Sequence, residues 1–123
     1  MSYEIVLTQQ RVAETGLLSL HLDEQIEIQI SASEARRRVN NWVHLEISSQ
    51  IRAMMPQLVI PTKGTAHWRV PLQLTFPALG DVGPVGAVLV DVQQGVITLS
   101  SDEIAEIKQN AQTLAQRFTA VPA

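Results

Sequence analysis

Cysteine is absent from this chain of 123 residues, and its absence excludes both a disulfide framework and a thiolate nucleophile. Long apolar runs are missing too. None reaches the length of about 20 residues that spans a bilayer, and the N-terminal segment lacks a basic stretch followed by an apolar core. Because these features are compatible with a reducing compartment, we expect a cytoplasmic protein without membrane contact.

Charged residues are scarce, at 17% of the chain against about 25% in typical proteins, while hydrophobic residues make up 46%. So few charges leave apolar surface for a partner to cover, and the most economical partner is a second copy. The net charge of −3 argues against nucleic-acid binding, which depends on a positive field. We expect a homodimer and leave a further protein partner open.

The chain has no internal repeat and no long linker, which indicates one domain over residues 1–123. Apolar and polar residues alternate from Leu18 to Ile30, so this segment is predicted to be one long strand, or two strands joined at Asp23 and Glu24.

A long helix is predicted from Ala32 to Met54. Ser31 and Glu34 match a capping box, in which side chains satisfy the free N–H groups at a helix start. Pro56 sets the end, because the residue before a proline avoids helical geometry. At 100° per residue an apolar stripe forms on one side. It contains Ala35, Val39, Trp42, Val43, Ile47, Ala53 and Met54.

Period-two alternation predicts short strands at 58–60 and 68–76, followed by a loop at 77–84. Pro71 lies inside the second run, so that strand should be at a sheet edge or carry a bulge there. The predicted loop exposes Leu79 and Val82, which makes them candidate partner-contact residues as an alternative to an ordinary connection.

The segment from Val85 to Val92 is apolar on both faces, which predicts a strand covered on both sides. A hairpin turn at 91–95 and a return strand at 96–99 follow, with Gly95 where positive φ is needed. Ser100 and Glu103 repeat the capping box before a final helix. The predicted fold is α+β: an antiparallel sheet of four to five strands, the long helix packed across one face, and a C-terminal helix.

Metal and nucleophile motifs are missing. His21, His44 and His67 lie on different predicted elements without metal-ligand spacing, so we interpret them as solvent-facing or locally hydrogen-bonded and predict no metal and no cofactor. The sequence has neither a GxSxG motif nor an SxxK pair, and no catalytic residue is assigned. The protein is more simply a binding module than an enzyme.

Arg36, Arg37 and Arg38 lie in the first turns of the predicted helix, where the macrodipole makes cations mildly unfavourable. Their presence there suggests another purpose. They could pair with intramolecular carboxylates such as Asp23, Glu24 and Glu34, bind an acidic partner, or bind nucleic-acid phosphates locally. The three arginines are therefore candidate partner-binding residues.

Glu46 and Gln50 fall inside the apolar stripe of the predicted helix, where an unpaired carboxylate would cost several kcal/mol. Either the helix overhangs the sheet, so that Glu46 meets water or an arginine, or the two residues form the polar floor of a pocket between helix and sheet. The second alternative describes a ligand-binding protein or an enzyme with a raised carboxyl pKa.

Three segments carry a resemblance to a known group: ARRRVNNWV at 35–43, WRVPLQLTFPALG at 68–80 and VGAVLVDVQQGVI at 85–97. Together they resemble small bacterial proteins, common in cyanobacteria, that look like the partners encoded beside PIN-domain ribonucleases of toxin–antitoxin pairs. The resemblance implies a non-enzymatic, antitoxin-like protein whose partner is a nuclease or an operator DNA.

Overall fold

The computed structural model describes residues 4–8, 15–20, 24–61 and 65–119. Two helices and eight strands lie in these ranges. The helices are α1 (Ala32–Glu46) and α2 (Ser101–Thr119). The strands are β1 (Glu4–Thr8), β2 (Gly16–Leu20), β3 (Glu24–Ile28), β4 (Ile51–Ala53), β5 (Gln57–Pro61), β6 (His67–Phe76), β7 (Gly80–Asp91) and β8 (Ile97–Thr98).

Six of these strands form one antiparallel sheet in the order β1-β5-β6-β7-β8, and β4 pairs with β6 beside β5. The α+β prediction is therefore confirmed, with one strand more in the sheet than the predicted maximum. Strands β2 and β3 form a separate two-stranded hairpin, so the alternating N-terminal segment is two strands and not one. The predicted turn residue Asp23, like His21, lies outside the described residues.

One face of the sheet carries the core. Alternate residues of β6, from Trp68 to Leu74, have at most 3% of their surface exposed. Helix α1 covers them with Ala35, Val39 and Val43, which are fully buried on its inner side. The indole Nε1 of Trp68 donates a hydrogen bond to the carbonyl oxygen of Ile30 at 2.7 Å, which ties the sheet to the chain just before α1.

Helix α1 ends at Glu46, eight residues before the predicted end at Met54. Ala53, a residue of the predicted stripe, and Ile51 become core residues of β4, where they pair with Leu72 and Leu74 of β6. The predicted helix end is wrong because Ile51 and Ala53 also satisfy strand alternation, which the helical phase of Ala53 does not exclude. The turn at 47–50 lets both side chains enter the core.

Pro71 lies in a central strand, so of the two predicted alternatives the sheet edge is wrong and the bulge is the one that the strand register supports. One side of β6 pairs with β7 over its whole length, and the other pairs first with β5 and then with β4. The carbonyl of Pro71 accepts from the Met54 N–H at 2.8 Å. The N–H and C=O of a strand residue point to the same side of the strand. The side on which Pro71 lacks an N–H therefore faces the point where β5 ends and β4 begins as the neighbour of β6. A register shift follows at once, between Leu72 and Gln73.

Strand β7 begins at Gly80, so most of the predicted 77–84 loop is strand, and the turn is confined to 77–79. Two glycines of β7 lie opposite core residues of β6: Gly83 opposite Leu74, and Gly86 opposite Leu72. A Cβ on Gly83 would lie 3.1 Å from Leu114 of α2, and one on Gly86 would lie 2.8 Å from Ile107. The two glycines thus let α2 approach the same face that α1 covers.

The opposite face of the sheet, which we call the open face, is covered only in part among the described residues: Val59 of β5 is 1% exposed, and Ala87 of β7 lines a concavity with Glu103 and Glu106 of α2. Val88 and Val90 on the core face of β7 are fully buried, whereas Ala87 and Leu89 on the open face are only half-buried. The prediction that this strand is covered on both sides therefore fails within the single chain. The reason is that α2, expected as one of two covers for the second face, packs against β7 instead, where Ile107 enters the core and Asn110 donates to the Val85 carbonyl at 3.0 Å.

Asp91 organises the hairpin between β7 and β8. Its carboxylate accepts hydrogen bonds from the backbone N–H groups of Gln93, Gln94 and Val96 at 2.6–2.9 Å. Burial raises the pKa of this carboxyl, but the backbone donors together outweigh burial and leave the pKa below its usual value. Gly95 adopts the predicted positive φ, at 72°.

Candidate functional site

Helix α1 holds most of the candidate residues: Arg36, Arg37, Arg38 and Glu46. Arg36 is used within the chain. Its Nε donates to the carbonyl oxygen of Ala53 at 3.0 Å. Asn40 and His44 lie one and two turns further along α1 and also reach β4. The amide oxygen of Asn40 accepts from the Ala53 N–H at 2.8 Å, and Nε2 of His44 lies 3.0 Å from the Ile51 carbonyl.

These three side chains, at i, i+4 and i+8, satisfy the outward backbone groups of β4 as a neighbouring strand would. Such an edge would otherwise offer unpaired N–H and C=O groups to another chain. Because Arg36 takes part in this contact, its Nε has a structural role. The contact also anchors α1 along the side of the sheet.

Arg37 and Arg38 share Glu34. Two nitrogens of Arg37 approach the carboxylate at 2.7–3.1 Å, and Nε of Arg38 donates to it at 2.9 Å. The hydrogen bonds from Arg37, and then those from Arg38, lower the pKa of Glu34. Of the carboxylates expected to pair with the arginines, Glu34 is the one found. Asp23 and the side chain of Glu24 lie outside what the structure describes.

Arg38 also reaches the β7–β8 hairpin, where its Nη1 lies 3.3 Å from the Gln94 carbonyl and 3.4 Å from the Gly95 carbonyl. Its guanidinium occupies the space where a Cβ of residue 95 would lie. Arg38 therefore fixes α1 against the hairpin and leaves little of its charge for another molecule.

The α1 groove is a concavity of about 310 Å³ on the outer side of the helix. Its lining is polar and comes from one helix: Ser33, Arg36, Arg37, Asn40 and Asn41. Among the described residues, several donors of this lining have no hydrogen-bond partner. They are both Nη atoms of Arg36, Nη1 of Arg37, Nδ2 of Asn40, the side-chain amide of Asn41 and the hydroxyl of Ser33.

Leu45 continues this outer side of α1, one helical turn beyond Asn41. It is 84% exposed, the largest value among the exposed large hydrophobic residues. Single exposed apolar residues are ordinary on protein surfaces. Here the leucine extends the line that begins with Arg37 and Asn41, so donors and an apolar side chain are presented together.

Glu46 and Gln50 are not where the predicted helical phase puts them. Both are exposed: Glu46 is the last residue of α1, and Gln50 lies in the turn before β4. The expected conflict between a carboxylate and an apolar stripe is therefore absent, because the helix ends before the stripe would bury them. Neither residue lines the α1 groove or the concavity of about 230 Å³ between α2 and β7.

Leu79 and Val82, the other predicted contact residues, separate in the structure. Leu79 lies in the turn between β6 and β7 and is 58% exposed, as a contact residue would be. Val82 belongs to β7, where it is half-buried against the core. Only Leu79 keeps the exposure that the prediction assumed, because the strand begins earlier than expected.

The open face has an apolar centre and a polar border. Register places Pro71, Ala87 and Leu89 next to one another at the centre. On one side the Nη2 of Arg69 donates to the Gln57 amide oxygen at 2.8 Å.

On the other side of that centre, Asp81 connects three strands. The Nη2 of Arg52 lies 3.2 Å from an oxygen of Asp81, and the hydroxyl of Thr75 donates to the same carboxylate at 3.0 Å. The sequence did not single out these residues as a group, since only the strand register brings Arg52, Thr75 and Asp81 together.

The two histidines within the described residues contact backbone carbonyls. His44 contacts β4 as above, and Nδ1 of His67 lies 3.4 Å from the Thr65 carbonyl. In this part of the chain no three His, Cys, Asp or Glu residues are grouped as metal ligands. Neither α1 nor α2 combines the length and apolar composition needed to cross a membrane.

Comparisons with protein-family models, with curated proteins and with solved structures found no match to this chain.

Proposed function

We propose that this chain is a non-catalytic protein-interaction module of the cytoplasm that acts as a homodimer through the open face. The observation that carries the proposal is the difference between the two faces of one sheet. The core face is covered by α1 and α2, whereas the centre of the open face, at Pro71, Ala87 and Leu89, is only half-buried among the described residues. A sheet gains most stability when an apolar surface is buried against a second layer.

A second copy is the partner that the open face suits best. Protein interfaces commonly have an apolar centre within a polar border, and Pro71, Ala87 and Leu89 form such a centre. Of the charges at the border, Arg52 pairs with Asp81, and Arg69, opposite Leu89, is held by the Gln57 amide. A two-fold axis through Pro71 and Ala87 would bring like surfaces together with Arg69 beside the contact.

The module would act by binding other proteins and would not catalyse a reaction. The resemblance to proteins encoded beside PIN-domain ribonucleases would make one partner a nuclease, and this finer assignment stays a prediction. The alternative of a small-ligand site around Glu46 and Gln50 is not proposed, since both side chains are exposed and are far from the buried setting on which it depended.

Sedimentation velocity tests the proposal on the full chain. We expect a dimer at high micromolar concentration, and Leu89→Arg should shift it to the monomer because a guanidinium would lie at the apolar centre. The matched control is Leu45→Arg, which puts the same group on the more exposed leucine of α1. A monomeric wild type, or equal dissociation by both variants, would reject the open face as the interface.

A further inference from the structure

We infer that the α1 groove binds a carboxylate side chain of an acidic peptide segment in a partner protein, with Leu45 as the adjoining apolar contact. This site is separate from the open face. Helix α1 packs on the covered side of the sheet, so its outer side points away from the proposed dimer contact. A homodimer would therefore leave both copies of the groove accessible.

Charge complementarity identifies the ligand. The five side chains that line the groove include two guanidinium groups and no carboxylate. Their unpaired donors, on Arg36, Arg37, Asn40, Asn41 and Ser33, are what an acceptor-only group such as a carboxylate requires. The donors are side chains along two turns of the helix, and the site does not depend on the helix terminus. A volume of about 310 Å³ is at the lower end of ligand pockets.

Arg36 and Arg37 are held in place before any ligand arrives. The contact of Arg36 with the Ala53 carbonyl leaves both of its terminal nitrogens unused. Arg37 is held by Glu34 through Nε and Nη2, which leaves Nη1 unused. For Arg36, binding therefore requires less ordering than a mobile arginine would need, whereas Arg37 must divide its donors between Glu34 and the ligand.

A peptide fits better than a nucleic acid. Glu34 already neutralises part of the positive charge beside the groove, and the chain as a whole is negative. A polyanion depends on an extended positive field, whereas a single carboxylate needs only local donors. Leu45, 84% exposed beyond Asn41, gives a peptide an apolar contact that a phosphate backbone does not use.

The test is an NMR titration of the isotope-labelled full chain with a capped peptide that contains two glutamates and one leucine. We expect saturable shifts of residues 33–45. The same peptide with glutamines in place of glutamates should bind roughly fivefold more weakly, as should Arg37→Gln with the original peptide. Arg117→Gln, which removes an equal charge from the exposed end of α2, should leave the affinity unchanged.

Glu34→Gln distinguishes a binding role of Arg37 from a purely structural one. Removing this carboxylate frees Arg37 from an internal competitor, so the peptide should bind more tightly to Glu34→Gln. If Arg37 only stabilises the helix through Glu34, this variant should bind no better than the wild type. Leu45→Ala should weaken the peptide and leave binding of free acetate unchanged.

Three results would overturn the inference. One is the absence of saturable shifts on the outer side of α1, and another is equal loss of affinity in Arg37→Gln and Arg117→Gln. The third is tighter binding of inorganic phosphate or of a single-stranded oligonucleotide than of the peptide. None of these results depends on dimerisation, since the titration can be repeated on a monomeric Leu89→Arg chain.

Discussion

Val88 and Leu89 are consecutive residues of β7 that lie on opposite sides of the same sheet. Val88 is fully buried among the core residues, whereas Leu89 is half-buried on the open face. Strand β6 repeats this difference, with Val70 fully buried and Arg69 half-buried, but β5 does not, because Val59, on the open face by its pairing with His67, is only 1% exposed. One face has both helices and the indole of Trp68, and the other has a small apolar centre bordered by Arg52, Arg69 and their hydrogen-bond partners. The single chain thus covers one face with its own helices, and our proposal assigns the centre of the other face to a second copy.

The largest expected effect tests the covered face. Trp68→Ala should lower the free energy of unfolding by about 3–5 kcal/mol, because it removes a fully buried side chain and the donor to the Ile30 carbonyl. Arg69→Ala, one residue along on the open face, removes a bond to the Gln57 amide and should cost about 0.5–1.5 kcal/mol. Urea denaturation of both variants in the monomeric background measures the difference, and similar losses would refute it.

A smaller effect is expected where α1 meets β4. Asn40→Ala removes the acceptor of the Ala53 N–H and should lower the free energy of unfolding by about 1–2 kcal/mol. Asn41, its neighbour on the outer side, has no hydrogen-bond partner among the described residues, so Asn41→Ala should change stability by less than about 0.5 kcal/mol. Thermal unfolding compares the two, and equal effects would contradict the assignment of Asn40 to the sheet edge.

The smallest effect concerns pH. The folded-state pKa of Asp91 is lowered from its usual value of 3.8, so its stabilisation is complete above the unfolded-state pKa. It is lost as the pH falls through the lower, folded-state pKa. We therefore expect the free energy of unfolding to decline below about pH 4, and Asp91→Asn to make that decline shallower. The Asp91→Asn chain and its reference chain should both carry Glu34→Gln. The pKa of Glu34 is also lowered, so its titration would add to the same decline.

The sequence predicts which residues lie on the core face of the sheet better than it predicts the arrangement of the open face. Alternation from Trp68 to Leu74 identified the buried side of β6, and the capping box placed the start of α2, where the Ser100 hydroxyl accepts from the Glu103 N–H at 3.1 Å. Both signals are local, because each compares residues a few positions apart.

The features that the sequence did not predict depend on contacts between residues far apart in the chain. The end of α1 is decided by the pairing of Ile51 and Ala53 with β6, about 20 residues away, and alternation alone cannot separate that pairing from helical phase. For the same reason Gln50 was placed within the helix, whereas the exposure of Glu46 agrees with the alternative in which it meets water. The α1 groove was missed in part: the arginines were identified from the macrodipole argument, but Ser33 and Asn40, which join them by helical spacing, were not considered, and only the Asn40–Ala53 contact depends on β4.

The most direct test of the central claim is an isotope-filtered NOE experiment on a mixture of labelled and unlabelled chains. If the open face joins two copies, the methyl groups of Ala87 and Leu89 should show NOEs to the other chain, and the methyl groups of Leu45 should show none. Intermolecular NOEs that arise from Leu45 and not from Ala87 or Leu89, or none at all at high micromolar concentration, would contradict the account.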